Sequence, residues 1–261
     1  MLLASPLVAG VVFEIETTDH DASPPKVEST QVQAEGKNLK MGIAPGDRGG
    51  RGGTVLFRGD RRELVVVDHD DKSYMVIDQE ALRQIGEQLA GVNDQIAEAL
   101  KNVPEEQRAM VEKMMKERMP QQAVKRPAID VRKTGDRGEK NGYPCVKYEV
   151  LRDGRKIREL WVTDWGNVEG GDEVADSFRS MAEFMKQFLD QLPAGGAPGG
   201  LGDDVFSQLS ELPGFPVVTR ELDDDGSLES ESSLRSSRRQ ALDPAEFEPP
   251  AGYKRRSMFG G

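Results

Sequence analysis

The sequence predicts an α+β protein, one long antiparallel β-sheet interrupted by about three helices. Three observations carry this. Ile129 to Asp164 holds two tight-turn signals, Asn141-Gly142 and Asp153-Gly154, which supply the positive-φ positions of hairpins. Similar alternating stretches lie before and after this meander. Two segments carry apolar residues at helical rather than strand spacing.

From the amino end, MLLASPLVAG is apolar and closes on small residues, like the tail of a secretory signal peptide that lacks its charged start. Residues 1–10 read as the remnant of such a signal, with cleavage after Ala9 or Gly10. The other reading is an ordinary buried first strand. No cysteine follows the small residues, so a lipid anchor is not supported. Val11, Phe13, Ile15 and Thr17 then alternate with Val12, Glu14 and Glu16, a half-buried strand. Lys26 to Glu35 is a polar strand, and Leu39, Met41 and Ile43 are the apolar face of the next. The loop Gly46 to Gly53 holds two Arg-Gly-Gly units, which without aromatic neighbours in an acidic chain read as a hairpin loop. Three further strands follow at 54–58, 63–67 and 73–78.

Helical insertions are expected at about 79–119 and 172–192. In the first, Leu82, Ile85, Leu89, Val92, Ile96 and Leu100 form one stripe up to about Asn102. Pro104 suits the first turn of a second helix that runs to about Met119. This helix carries Met110, Val111, Met114 and Met115. Its methionines fit core packing, an adaptable lid over an apolar ligand, or soft Cu(I) ligands. The ligand-binding reading names these four residues.

In the central meander Val146, Tyr148 and Val150 share one face. Leu160 and Val162 lie on one face of the next strand, with Ile157 and Trp161 on the other. A third helix, about Asp172 to Leu192, repeats Val174, Phe178, Met181, Met185, Phe188 and Leu192 at spacings of 4-3-4-3-4, and its predicted partner is the sheet. The run 193–202 is rich in Gly and Pro and reads as a flexible linker. A final hairpin, 215–222 and 227–235, turns at Asp223-Asp224-Asp225-Gly226. Asp243-Pro244-Ala245-Glu246 fits a short capped helix.

Composition narrows the function classes. Apolar residues make up 36% and charged residues 31%, which does not fit a transmembrane protein. Lys+Arg 35 against Asp+Glu 46 leaves −11, which repels nucleic-acid phosphates, so no nucleic-acid partner is expected. The single cysteine, Cys145, excludes an intramolecular disulfide and reads as a packed side chain. His69 among Asp68, Asp70 and Asp71 reads as a solvated turn, and the three acids at 223–225 lack the alternating ligands of a calcium loop. No cofactor is expected.

Three features together resemble a known group: Val12-Phe13-Glu14-Ile15 after the signal-like start, Gly142-Tyr143-Pro144-Cys145 before a strand, and the box Phe247-x-x-Pro-x-Gly-Tyr253. They resemble a secreted or periplasmic bacterial family of unknown function with a fold akin to the lipoprotein carriers of the Lol system. The resemblance spans about Val11 to Met258 and implies a single domain over 11–258. That domain would be a curved antiparallel half-barrel with helices on its concave face, where the carriers hold acyl chains. The long Gly/Pro linker and the methionine-rich second helix depart from that pattern, and the resemblance transfers no catalytic residue.

Three function classes follow. One is an exported module that binds or carries an apolar ligand such as a lipid or acyl chain. The second is a cell-envelope interaction protein with a protein partner and no small ligand. The third, an enzyme, lacks a nucleophile-elbow, zinc-protease or dinucleotide motif, and the expectation is that the chain is not one.

Overall fold

The computed structural model describes residues 10–43, 52–81, 83–84, 128–191 and 212–257. Strands in chain order are β1 (Gly10–Asp19), β2 (Lys26–Glu35), β3 (Asn38–Ile43), β4 (Gly53–Arg58), β5 (Glu63–Asp68), β6 (Ser73–Ile77), β7 (Ile129–Lys140), β8 (Tyr143–Arg152), β9 (Arg155–Thr163), β10 (Phe215–Leu222), β11 (Leu228–Gln240) and β12 (Lys254–Arg256). They form one curved open sheet in the order β12-β6-β5-β4-β3-β2-β1-β11-β10-β9-β8-β7. Two meanders, β1–β6 and β7–β11, are thus joined edge to edge by the antiparallel pairing of β1 with β11, from Gly10↔Gln240 to Asp19↔Ser230.

The turn chemistry is realised where it was expected. Asn141 and Gly142 take φ of 50° and 83°, and Asp153 and Gly154 take 51° and 83°. Two successive left-handed residues are what a two-residue hairpin needs to match strand twist.

Period-two patterning decides which residues meet the core. Val11 and Phe13 of β1, Leu39 of β3, Phe57 of β4, Leu64 of β5 and Ile77 of β6 are buried in the main cluster. On this face lies α1 (Gly171–Gln191), whose Val174, Met181, Met185 and Phe188 join the same cluster. Asp172 and Glu173 place negative charge at the positive end of the helix. Gly170 has φ 71°, and a Cβ there would lie 2.3 Å from Val11 Cγ2, so glycine is required where the chain enters α1 against β1.

The opposite face of the first meander is covered by the chain's own C-terminal strap, residues 241–257. Phe247 packs with Val12 and Leu242, and Tyr253 packs on Leu56, Val65 and Val67. Between these anchors Glu248 pairs with Arg58 and with Arg61 at 2.9 Å, while Arg58 also meets Glu63 at 2.6 Å. Asp243 caps the turn Pro244–Phe247 by accepting from the Ala245 N–H. The Phe247–Tyr253 box is therefore a clasp.

Several expectations need correction. The sheet is mixed, not purely antiparallel, because β12 runs parallel to β6, with Lys254↔Ser73. Among the described residues one long helix, α1, packs on the sheet, not three; residues 79–81 and 83–84 are helical. Ile157 lies with Leu160 and Val162, not opposite them, because the ladder passes from Val150↔Arg158 to Leu151↔Lys156 and leaves Ile157 bulged. Strand β11 extends to Gln240, beyond the expected Arg235. The signal remnant up to Ala9, the loop residues 46–51, the rest of the first helical insertion to Met119 and the linker 193–202 lie outside the described residues.

Phe188 is fully buried, whereas Phe178 is only partly so. In urea denaturation Phe188→Ala is expected to cost about 3–5 kcal/mol and Phe178→Ala roughly half as much.

Candidate apolar cavity beneath the helix

Where β1, β10 and β11 meet the first half of α1, the main cluster ends in a group of rings. Phe13 stacks on Phe215 with centroids 5.1 Å apart and planes at 14°. Trp165, from the 3-10 turn Trp165–Asn167 that precedes α1, stands edge-on to Phe215 at 5.5 Å and lies 5.4 Å from Phe178. Phe178 also meets Phe215 edge-to-face at 6.0 Å. These offsets suit the aromatic quadrupoles and fix the rings.

Beside the rings is a cavity of about 210 Å³. Its apolar wall is formed by Ile15, Val32, Met41, Trp165, Phe178, Met181, Phe215 and Leu234. Thr219, Ser232 and Arg179 supply its polar side, while Ser233, next to Ser232 on the strand, turns its side chain to the other face of the sheet. Leu212 lines it too, and also packs with Tyr148, Val150, Leu160 and Val162 of the second meander. The cavity therefore lies where the apolar faces of the two meanders adjoin. Ser232 shares a hydrogen bond with Thr17, 2.8 Å between the hydroxyl oxygens. Arg179 pairs with Asp176, one turn back on α1.

None of the described residues singled out in the sequence as a candidate ligand or nucleophile lines this cavity. Met110, Val111, Met114 and Met115 lie outside the described residues. His69 sits on the β5–β6 turn, with Nε2 2.7 Å from Thr54 Oγ1 and Nδ1 3.1 Å from the Tyr253 hydroxyl, so it fastens the strap. Cys145 is buried, its thiol donates to the Tyr143 carbonyl at 3.4 Å, and burial pushes its pKa up, against the opposing influence of Lys140. A raised pKa keeps the thiol protonated and a poor nucleophile. Among the described residues no group of three His, Cys, Asp or Glu side chains is placed to hold a metal.

The acids of the β10–β11 turn are spent on the turn itself. Asp223 accepts from the Ser227 hydroxyl at 2.7 Å and from the backbone N–H groups of Asp225 and Ser227. Asp225 accepts from the Ser227 N–H at 2.8 Å.

The cavity was missed in the sequence because its walls come from β1, β2, β3, α1, β10 and β11. Each wall residue taken alone reads as ordinary core. The clearest local signal is Trp165, a large ring on a turn directly ahead of the amphipathic helix.

The chain matches no family model and no curated protein. Among solved structures it is similar to an uncharacterised conserved protein from Thermus thermophilus, with 8% identity and TM-score 0.46, covering 96% of this chain and 91% of that one. It is also similar to PNGF-II, with 11% identity and TM-score 0.39, covering 95% of this chain and 31% of that one. A third similar structure is the MucA/MucB complex of Pseudomonas aeruginosa, with 10% identity and TM-score 0.36, covering 95% of this chain and 58% of the other. At these identities and scores none of them assigns a family or an activity to this chain. No helix among the described residues is long and apolar enough to cross a membrane.

The Ser227 hydroxyl and the bonds from Asp225 hold the Asp223 carboxyl down at about 2. A lowered folded-state value stabilises the turn above the unfolded aspartate pKa of about 3.9, and that contribution is lost as pH falls toward 2. NMR titration is expected to place Asp223 below the ordinary aspartate value, at about 2, and millimolar calcium to leave the 223–227 amide shifts unchanged.

Proposed function

We propose that this protein is an exported, non-enzymatic binding module that takes a small apolar group between α1 and a half-barrel sheet. The observation that carries this is the cavity walled by Trp165, Phe178 and Phe215. A helix docked only for stability would fill that space, because protein interiors pack with few voids larger than a water molecule.

Size narrows the ligand. Drug-sized pockets run from about 300 to 1,000 Å³, and this cavity holds about 210 Å³. It suits one short acyl chain or a single ring, not a whole lipid. The carrier-like reading is thus retained with a smaller cargo.

The alternative, an envelope protein that recruits a partner strand at the sheet edge, meets a guarded edge. Among the described residues β7 has no neighbour on its outer side. It presents Arg132, Lys133, Arg137 and Lys140, and its ladder is irregular between Lys133 and Arg137. Charges and bulges are devices that keep edges from pairing.

Filling the cavity separates ligand binding from folding. Ile15→Phe is expected to weaken binding of a fluorescent apolar probe by at least about tenfold while the thermal midpoint stays within a few degrees, overpacking costing about 1–3 kcal/mol. Unchanged probe binding in this variant, or no binding by the wild type, overturns the reading.

Export has its own test. Gly10 already pairs with Gln240, and a Cβ there would lie 2.4 Å from the Leu242 side chain. Cleavage after Ala9 retains this residue, whereas cleavage after Gly10 removes the first rung of the ladder. N-terminal sequencing of protein from its own host is therefore expected to begin at Gly10.

A further inference from the structure

We propose that the ligand of this cavity is a monocarboxylate, its apolar tail against the rings and its anionic head on Arg179. The inference rests on the cavity being a ligand site, and adds the chemical class of what enters it.

The polar groups of the cavity are cationic or hydroxylic. Arg179 comes from α1, while Thr219 and Ser232, opposite one another on β10 and β11, supply hydroxyls. Among the described residues Thr219 engages its hydroxyl in no side-chain hydrogen bond, and Ser232 shares its own with Thr17. A hydroxyl can donate to an anion, and a guanidinium presents paired N–H groups that match the two oxygens of a carboxylate.

Arg179 is available for this role. Its partner Asp176 is on the same helix, and the two side chains are 54% and 82% exposed. An exposed pair of this kind holds its arginine weakly, because water screens it and both side chains lose freedom. A carboxylate whose tail is anchored in the cavity is held near the guanidinium and competes with Asp176 as a tethered group.

Charge count selects the head. One guanidinium balances one negative charge. A phosphate monoester, close to doubly charged at neutral pH, would leave uncompensated charge beside Asp176 in a chain whose net charge is −11. A cationic head would face Arg179 directly. An uncharged head would leave the guanidinium to Asp176 alone.

The test is isothermal titration of the full chain with octanoate and with octanol, which share a tail and differ in the head. Wild type is expected to bind octanoate about tenfold more tightly than octanol, the order of a charge-assisted hydrogen bond. The preference should fade as pH falls through the pKa of octanoic acid itself. In Arg179→Gln the octanoate-to-octanol ratio should drop to about one, and Arg179→Lys should restore part of it. Because Arg179 is exposed, circular dichroism melts are expected to superimpose, which removes misfolding as the cause. Equal binding of the two ligands by wild type overturns the carboxylate inference and leaves the apolar-site reading standing. A preference that survives Arg179→Gln overturns the assignment to Arg179. Binding of neither ligand overturns this inference and counts against the reading beneath it.

Discussion

The ladder between β1 and β11 is the constraint on which the rest of the structure depends. Each meander pairs its strands internally, with β9 and β10 separated in the chain by α1. Only when Gly10 to Asp19 lie along Ser230 to Gln240 do the two become one sheet. That ladder also sets Phe13 beside Phe215, and thereby the ring cluster against which Trp165 and Phe178 are arranged. The helix–sheet interface and the cavity both follow from this one long-range pairing.

The cavity has a physical origin in that arrangement. Along a curved sheet the distance to the helix varies, and the size of the side chains between them decides whether the space is filled. Contact is tight where Gly170 abuts Val11 and where Phe184 meets Phe57 at 5.9 Å. Between these points the strands offer Thr219 and Ser232 toward the helix, side chains too small to fill the gap. The combination of ring wall and hydroxyl side is what gives the space a chemical direction.

Much of the sheet was legible from residues alone. Alternation in 39–43 and 146–150 is strong because one face is more deeply buried than the other, and in 11–17 it is interrupted only by Val12, which the strap covers on the far face. Asn141-Gly142 and Asp153-Gly154 announce their turns by conformational necessity. The stripe of α1 was legible for the same kind of reason, because Val174, Met181, Met185 and Phe188 must share a face. What escaped is whatever depends on distant partners. Nothing local to Lys254–Arg256 says that it runs beside β6, and nothing around Ile157 shows the bulge that turns it toward Leu160. Arg179 looks like any exposed helix residue until β10 and β11 are placed opposite it. The box ending in Tyr253 was visible as a pattern, yet its work as a clasp on Leu56, Val65 and Val67 emerges only in three dimensions.

That clasp bears on how the chain is made. The strap is synthesised last, and the surfaces beneath it, Val12 on β1 and Leu56 and Val65 on β4 and β5, are synthesised first. Until residues 241–257 have left the ribosome, Phe247 and Tyr253 are not there to pack on those side chains. The burial of the earliest strands thus waits on a segment made more than 150 residues later, and a truncation ahead of Leu242 uncovers Val12, Leu56 and Val65 while removing only β12 from the sheet itself.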